Sequence, residues 1–338
     1  MTPFVFLALL QDGLATGAIY LLLAVGLLIA FSVTRVIFVQ QGDLLALATL
    51  TAAQFEAGQV PGTLWAMDVL AAAALFADLV GLRGRARLRP VLPWLVCPAA
   101  ITLAALFGPR AAPWFAKVLA LAVITPLGPL IWRFAFRPVA DAPVLTLLIL
   151  ATALHFVLAG IGMVAFGPDG ASVAPLVAAT LMLGPVAVSG QSLAILLCCV
   201  VLVVALRFFF AATLTGRALR AAASDRLGAR LVGIDAAASG SRAFALAAFI
   251  AALSGILIGA ATPIAYDAGF EIGLKGFVAA IIGGLASYPA AAAGAVLVGV
   301  LESLGSFWSS AYRDVIVFAL LIPVLAWLSL RSRGTGGA

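Results

Sequence analysis

Reactive side chains are scarce in this chain. Its 338 residues include one histidine, His155, three cysteines and two lysines, Lys117 and Lys275. No HExxH pair occurs, which excludes the helix-borne zinc site of metalloproteases, and no CxxC pair occurs, which excludes a thioredoxin-like redox centre. Neither lysine follows the glycine of a GxxxxGK[ST] loop, so the chain is not itself a P-loop ATPase. Charge is thin as well, at 9% of residues against about 25% in an ordinary soluble domain. A membrane-embedded enzyme would need clustered reactive groups, and this inventory does not supply them. Cys97, Cys198 and Cys199 fall inside apolar runs and read as reduced packing residues, without a disulfide or metal pattern.

What is plentiful is apolar sequence: 65% of residues are hydrophobic and the mean hydropathy is +1.23. Runs of about 20 apolar residues recur, each long enough to cross a hydrocarbon core of about 30 Å as a helix. The chain is therefore predicted to be all-α, a polytopic transmembrane helix bundle of roughly 9–11 membrane helices forming one domain over residues 1–338. The segments fall at about 13–32, 39–57, 64–82, 91–108, 116–134, 144–163, 190–211, 241–263, 270–287, 290–308 and 314–330. Between them, residues 164–189 carry Gly, Pro and Asp punctuation around a run too short to span, which predicts an external loop with a half-helix. Gly13 with Gly17, and Gly255 with Gly259, are small-xxx-small pairs that allow close helix contact.

The net charge of +6 comes from nineteen basic residues, and their clustering reads as topology rather than nucleic-acid binding. Arg83, Arg85, Arg87 and Arg89 share one loop, Arg133 and Arg137 the next, residues 213–242 a third, and Arg331 and Arg333 lie near the C-terminus. All these clusters fall on one side, which the positive-inside bias makes cytoplasmic; Arg110, Lys117 and Arg313 fall opposite. No basic residue precedes the first apolar run, which argues against a cleaved signal peptide and for an N-terminus outside and a C-terminus in the cytoplasm.

Ionisable groups near membrane segments are costly to bury, so each is a functional candidate. The set is Asp43, Glu56, Asp68, Asp78, Asp267, Glu271, Lys275, Glu302 and Asp314, with His155 beside it. Glu56, Asp68 and Asp78 lie near helix ends, where they are expected to reach water, and Asp314 is expected to share an interface with Arg313. His155 reads as a hydrogen-bonded packing residue, with a proton relay as the alternative. Gln40, Gln41, Gly42 and Asp43 place two amides, a flexible backbone and a carboxylate where a turn meets the second helix. Asp43 there is either a helix N-cap or part of a pathway or gate. Asp267, Glu271 and Lys275 are spaced four apart and share one helical face, so a charge ladder is expected, in a glycine-rich stretch of the kind that opens near transporter cavities.

The most polar stretch, TLTGRALRAAASDRLGARLVGIDAAASGSR from Thr213, carries Arg217, Arg220, Arg226, Arg230 and Arg242 beside a partly apolar helical face of Ala218, Leu219, Ala222, Leu227, Ala229, Leu231 and Val232. Such an amphipathic element in an aqueous loop is suited to meeting a partner.

At this point four ordered blocks resemble a known family. They are GLATGAIYLLLAVGLLIAFSVTRVIFVQQGDLLAL from Gly13, FRPVADAPVLTLLILATALHFVL at 136–158, TGRALRAAASDRLGARLVGID at 215–235, and the stretch from GLKGFVAAIIGG at Gly273 to Ala326. Together they are similar to the inner-membrane permeases of ABC importers for branched-chain amino acids, the LivH-type proteins. The resemblance implies an ABC importer permease fold, no enzymatic activity, and no cofactor in this chain, with ATP used by separate cytoplasmic subunits. It implies further partners: a related second permease in a heterodimer, and an external substrate-binding protein. Residues 213–240 would hold a cytoplasmic coupling helix docking on an ATPase subunit. There Gly228, Ala229 and Gly233 match the family's small-residue pattern, and Arg217, Arg220, Arg226 and Arg230 can bond acidic or carbonyl groups of the partner. Gln40, Gln41, Gly42, Asp43, Glu271 and Lys275 are the translocation-pathway candidates. The family's usual Asn-Phe-Ala-His-Gly-Asp run is altered before Gly42 and Asp43, which leaves urea, short amides or aromatic carboxylates as alternative solutes. Residues 60–115 look like an inserted helix pair. The rival class is a secondary transporter driven by an ion gradient, with membrane carboxylates such as Asp43 and Glu271 binding the ion.

Overall fold

The computed structural model describes residues 3–81, 92–107, 113–183, 186–285, 287–308 and 313–319, with 322, 323 and 326. Arg83, Arg85, Arg87, Arg89, Arg110, Arg331 and Arg333 lie outside the described residues. Helices occupy every predicted membrane segment, although the last is described mainly over α14 (Arg313–Ala319). Among the described residues six are long and apolar enough to cross a membrane: α1 (Pro3–Thr34), the stretch from α5 (Pro113–Ile124) through α6 (Leu127–Ile131) to Val139, α7 (Val144–Phe166), α8 (Gly190–Ala212), α11 (Ala236–Gly259) and α13 (Tyr288–Trp308).

The centre of the bundle is built on glycine. Gly13 and Gly17 of α1 face α13 so closely that a Cβ on Gly13 would stand 2.8 Å from Val300 Cα, and one on Gly17 would stand 3.0 Å from Ala295 O. A lipid-embedded bundle gains little from apolar burial alone, so this close van der Waals approach of backbones is what holds helices together. Gly255 of α11 packs in the same way on the Leu45 carbonyl of α2 (Gln41–Glu56), and Thr49 Oγ1 donates to Gly255 O at 2.7 Å.

After α1 the chain reverses at Arg35, whose left-handed φ of 62° is an uncommon conformation for a residue with a Cβ. Residues 36–40 then run back through the protein interior. Phe38, fully buried, anchors this run against Phe244 of α11 at a centroid separation of 4.4 Å, and Trp132 and Phe136 complete the aromatic cluster. As a result α2 starts deep. Gln41 Nε2 donates to Leu23 O at 3.1 Å, and Leu23 lies eleven residues before the end of α1, about 16 Å along its axis. With 16 residues, α2 is about 24 Å long, short of a full span. Its counterpart α12 (Ala268–Ile282), 15 residues long, falls short too. The two meet at a point where a Cβ on Gly42 would overlap Gly269 O and stand 2.8 Å from Gly273 Cα.

Outside this core, α3 (Gly62–Gly81) and α4 (Leu92–Phe107) pack against each other, joined by Thr102 Oγ1 donating to Asp68 at 2.9 Å. Three acidic residues expected to reach water are part-exposed, and each also holds a partner on another helix. Glu56 pairs with buried Lys117 at 2.6 Å and accepts from Ala174 N, Asp78 pairs with Arg133 at 2.6 Å, and Asp68 holds Thr102. The reason is the low dielectric of a helix interface, where an unpaired carboxylate is costly and a partner on the next helix relieves that cost. Residues 164–189 hold no half-helix among the described residues. Gly167 (φ 81°) ends α7, Ala171 bridges Ile264, and β1 (Thr180–Leu183) pairs antiparallel with β2 (Val186–Ser189), Thr180 opposite Ser189. Proline, glycine and an alternating Thr, Leu and Val pattern favour the hairpin over a helix.

Gly42→Leu is expected to lower the melting temperature in detergent sharply, by an overpacking cost of at least about 1–3 kcal/mol. Fluorescence-detected size exclusion after heating checks this.

Candidate functional site

Three groups of polar residues stand out of the apolar body. The first lies where α2 begins. Gln40 occupies the N-cap position, and no side chain caps the helix. The N-cap expectation for Asp43 is therefore corrected: the residue sits inside the first turn, and its carboxylate turns to α7, where Oδ1 meets His155 Nδ1 at 2.8 Å. One turn away on the same seam, Gln40 Nε2 donates to Ala151 O. His155 in turn stacks on Phe270 of α12, centroids 4.1 Å apart. Asp43, Gln40 and Gln41 are all buried, and Asp43 Oδ2 and both glutamine Oε1 atoms have no hydrogen-bond partner among the described residues. Buried acceptors left open are costly. The sequence placed Gln40, Gln41, Gly42 and Asp43 together correctly but gave no sign of His155 or Phe270 as their neighbours, because those contacts join α2, α7 and α12.

The second group centres on Lys275. Its ammonium is buried and reaches Glu302 Oε1 at 2.7 Å, Glu271 Oε1 at 2.8 Å and Asp314 Oδ1 at 2.8 Å, while Tyr20 OH donates to the other oxygen of Glu302. The ladder thus holds for Glu271 and Lys275 but excludes Asp267, which sits at the N-cap of α12 without capping it. Asp314 also joins Lys275. Glu302 lies about 21 Å along α13 from Tyr288 and about 9 Å from Trp308, well inside the span. Yet the Glu271 side chain is 44% exposed and that of Asp314 36%. Carboxylates at that depth do not face hydrocarbon without a large penalty, so this surface faces water or another polypeptide.

The third group is the arginine loop. Thr213 caps α9 (Leu214–Ser224) by accepting from Gly216 N, and Asp225 caps α10 (Arg226–Leu231) by accepting from Leu227 N. Gly233 closes α10 with φ 84°, a conformation that a side chain would strain, and the Ile234 N–H returns to Ala229 O. Arg217 and Arg220 donate to Ala212 O and Phe210 O, carbonyls left open at the C-terminal end of α8. Arg226 donates from Nε and Nη2 to Val33 O at 3.0 and 2.8 Å, which fastens α10 to the end of α1. Burial and the neighbouring cations Arg35 and Arg230 push the Arg226 guanidinium below its ordinary range, though a guanidinium keeps its proton regardless. Gly228 packs over the Asp225 carboxylate and Ala229 is buried, whereas Arg230 is exposed. Leu227 is 69% exposed, Leu231 81% and Val232 76%. The sequence grouped these three with Leu219 and Ala222 on one face. The structure separates them, because the break at Asp225 rotates α10 away from α9.

A helical membrane bundle with two shortened helices meeting inside it has the organisation of a membrane permease. The chain belongs to the family described as the permease component of the branched-chain amino acid transport system, which matches residues 9–325. It is 41% identical over 123 residues to the high-affinity branched-chain amino acid transport system permease protein LivH of Salmonella typhimurium, and 40% to that of Escherichia coli K12. These matches cover 36% of the chain, which spans only 40% of the length of either LivH protein. It is also 30% identical over 236 residues to the corresponding permease protein BraD of Pseudomonas aeruginosa, covering 67% of the chain and 77% of that protein. No solved structure matches the chain.

Lys275→Ala leaves buried Glu302 uncompensated and is expected to cost about 3–5 kcal/mol, while Glu271→Gln, at a half-exposed position, costs about 1 kcal/mol or less. Thermal unfolding of the two variants side by side checks the difference.

Proposed function

We propose that the chain is a permease subunit of an ATP-binding-cassette importer in the bacterial inner membrane. It would form half of a translocation pathway for branched-chain or related hydrophobic amino acids. ATP is hydrolysed on separate cytoplasmic subunits, a second, related permease completes the pathway as a heterodimer, and an external binding protein delivers the solute. In this reading α9 and α10 face the cytoplasm, with the N-terminus outside and the C-terminus inside, and residues 60–115 add an outer helix pair.

The carrying observation is the α9–α10 pair. It presents Leu227, Leu231 and Val232 outward while Arg226 fixes its base to α1. Apolar side chains so exposed on a polar loop mark a surface made to be covered, and Arg230 beside them suits an acidic or carbonyl-rich groove. Movement of a bound ATPase is then passed through the Val33 carbonyl directly to α1, which packs against α11, α12 and α13. Glu271 and Asp314 at the surface, with Gln40, Gln41, Gly42 and Asp43 further in, supply the polar groups of the pathway, and transport proceeds by a ligand-driven shift between two packings. The buried Asp43 and His155 pair favours the rival, an ion-coupled carrier, for which the α9–α10 surface has no use.

Leu227→Asp with Leu231→Asp is expected to weaken ATPase association by about 100-fold or more, the loss of two buried leucines. Pull-down of the ATPase subunit with purified chain reads this. Equal retention by wild type and the double variant would remove the docking assignment.

A further inference from the structure

A cavity of about 680 Å³ lies between α1, α8, α9 and the start of α13. Its long wall is apolar, formed by Leu21, Val25 and Ile29 of α1 and Leu206 of α8, and its α9 end carries Arg207 and Arg220. We propose that this groove is a binding site for an anionic phospholipid of the leaflet beside α9, with an acyl chain along α1 and the phosphate at Arg207 and Arg220.

Four observations carry this, and of the polar groups already described only Arg220 enters them. The groove runs along α1 from Leu21 to Ser32, about 16 Å at helical rise, which is half of a hydrocarbon core of about 30 Å and so the depth of one leaflet. It is continuous with bilayer-facing surface, since α8 exposes Val200, Val204 and Phe208 on the adjoining face. Its volume falls within the roughly 300–1,000 Å³ of sites that enclose a small ligand. Its charge is of one sign where a headgroup would sit: neither Arg207 nor Arg220 forms an ion pair among the described residues, and the carbonyl contact of Arg220 leaves its positive charge uncompensated. Basic pockets between membrane helices at the headgroup level are suited to anionic lipid. Because Leu219, Arg220 and Ala223 of α9 form one wall, an occupying lipid would brace α9 against α1 and α8.

The test uses full-length protein in nanodiscs of phosphatidylcholine doped with phosphatidylglycerol, with bound lipid counted by native mass spectrometry. Wild type is expected to retain phosphatidylglycerol over phosphatidylcholine. Arg207→Gln with Arg220→Gln should weaken that retention about 25-fold, taking about fivefold per arginine, and Arg207→Lys with Arg220→Gln should lose only about fivefold. Ala292→Phe, which fills the groove without changing charge, should also abolish retention, and Arg230→Gln, outside the groove, should leave it unchanged. Should any variant misfold, the wild-type preference between the two lipids and competition by soluble glycerol phosphate still decide the matter. Equal retention of the two lipids, displacement by glycerol phosphate alone, or loss only with the arginines and not with Ala292→Phe would each overturn the proposal. So would finding the groove covered by the second permease in the assembled complex.

Discussion

Two backbones touch where Gly42 of α2 crosses Gly269 and Gly273 of α12, and the rest of the molecule is arranged to make that contact possible. Both helices are short of a full span, and α2 begins inside the bundle, so its start needs chain that re-enters through protein rather than lipid. Irregular backbone survives at membrane depth only where protein or a cavity satisfies its polar groups. Phe38 supplies the apolar anchor for that re-entrant run, and the Ala171 and Ile264 bridge ties down the segment that leads into α12. Gly255 and Gly259 of α11 let α2 lie close enough for its Leu45 and Thr49 to pack there. A side chain at Gly42 would push α2 and α12 apart and take with it the polar groups that α2 carries.

The same accounting explains the polar residues. In an apolar body every charge must be paired or reach water, and here most pairing joins separate helices: Glu56 to Lys117, Asp78 to Arg133, Asp43 to His155, and Lys275 to Glu302 and Asp314. Arginines of α9 and α10 take up carbonyls at the ends of α8 and α1. What remains outward after these bonds, the Glu271 and Asp314 carboxylates and the Leu227 and Leu231 side chains, is what the molecule has available for partners and solute.

Much of this was legible in the chain itself. Apolar runs located the helices, since their lengths are set by the bilayer, and glycine spacing marked Gly13, Gly17, Gly255 and Gly259 as contacts. The sequence grouped neighbours along one segment, such as Gln40 to Asp43 and Glu271 with Lys275, but not their partners on other helices. Nothing local says that His155 faces Asp43 across 112 positions or that Tyr20 reaches Glu302, because such neighbours are chosen by helix packing. The depth of α2 was hidden for the same reason: a run of sixteen residues reads as a span until its first glutamine is found beside Leu23. The hairpin at Thr180–Ser189 escaped notice because its alternation is only four residues long on each side.

The central claim is that solute moves through this chain only when separate subunits hydrolyse ATP. It is tested most directly by uptake of labelled leucine into vesicles holding the chain with its second permease, ATPase subunits and binding protein, compared with vesicles holding the chain alone under an imposed proton or sodium gradient. The account predicts uptake in the first that stops without ATP, and none in the second. Gradient-driven uptake by the chain alone, unaffected by ATP, would contradict it.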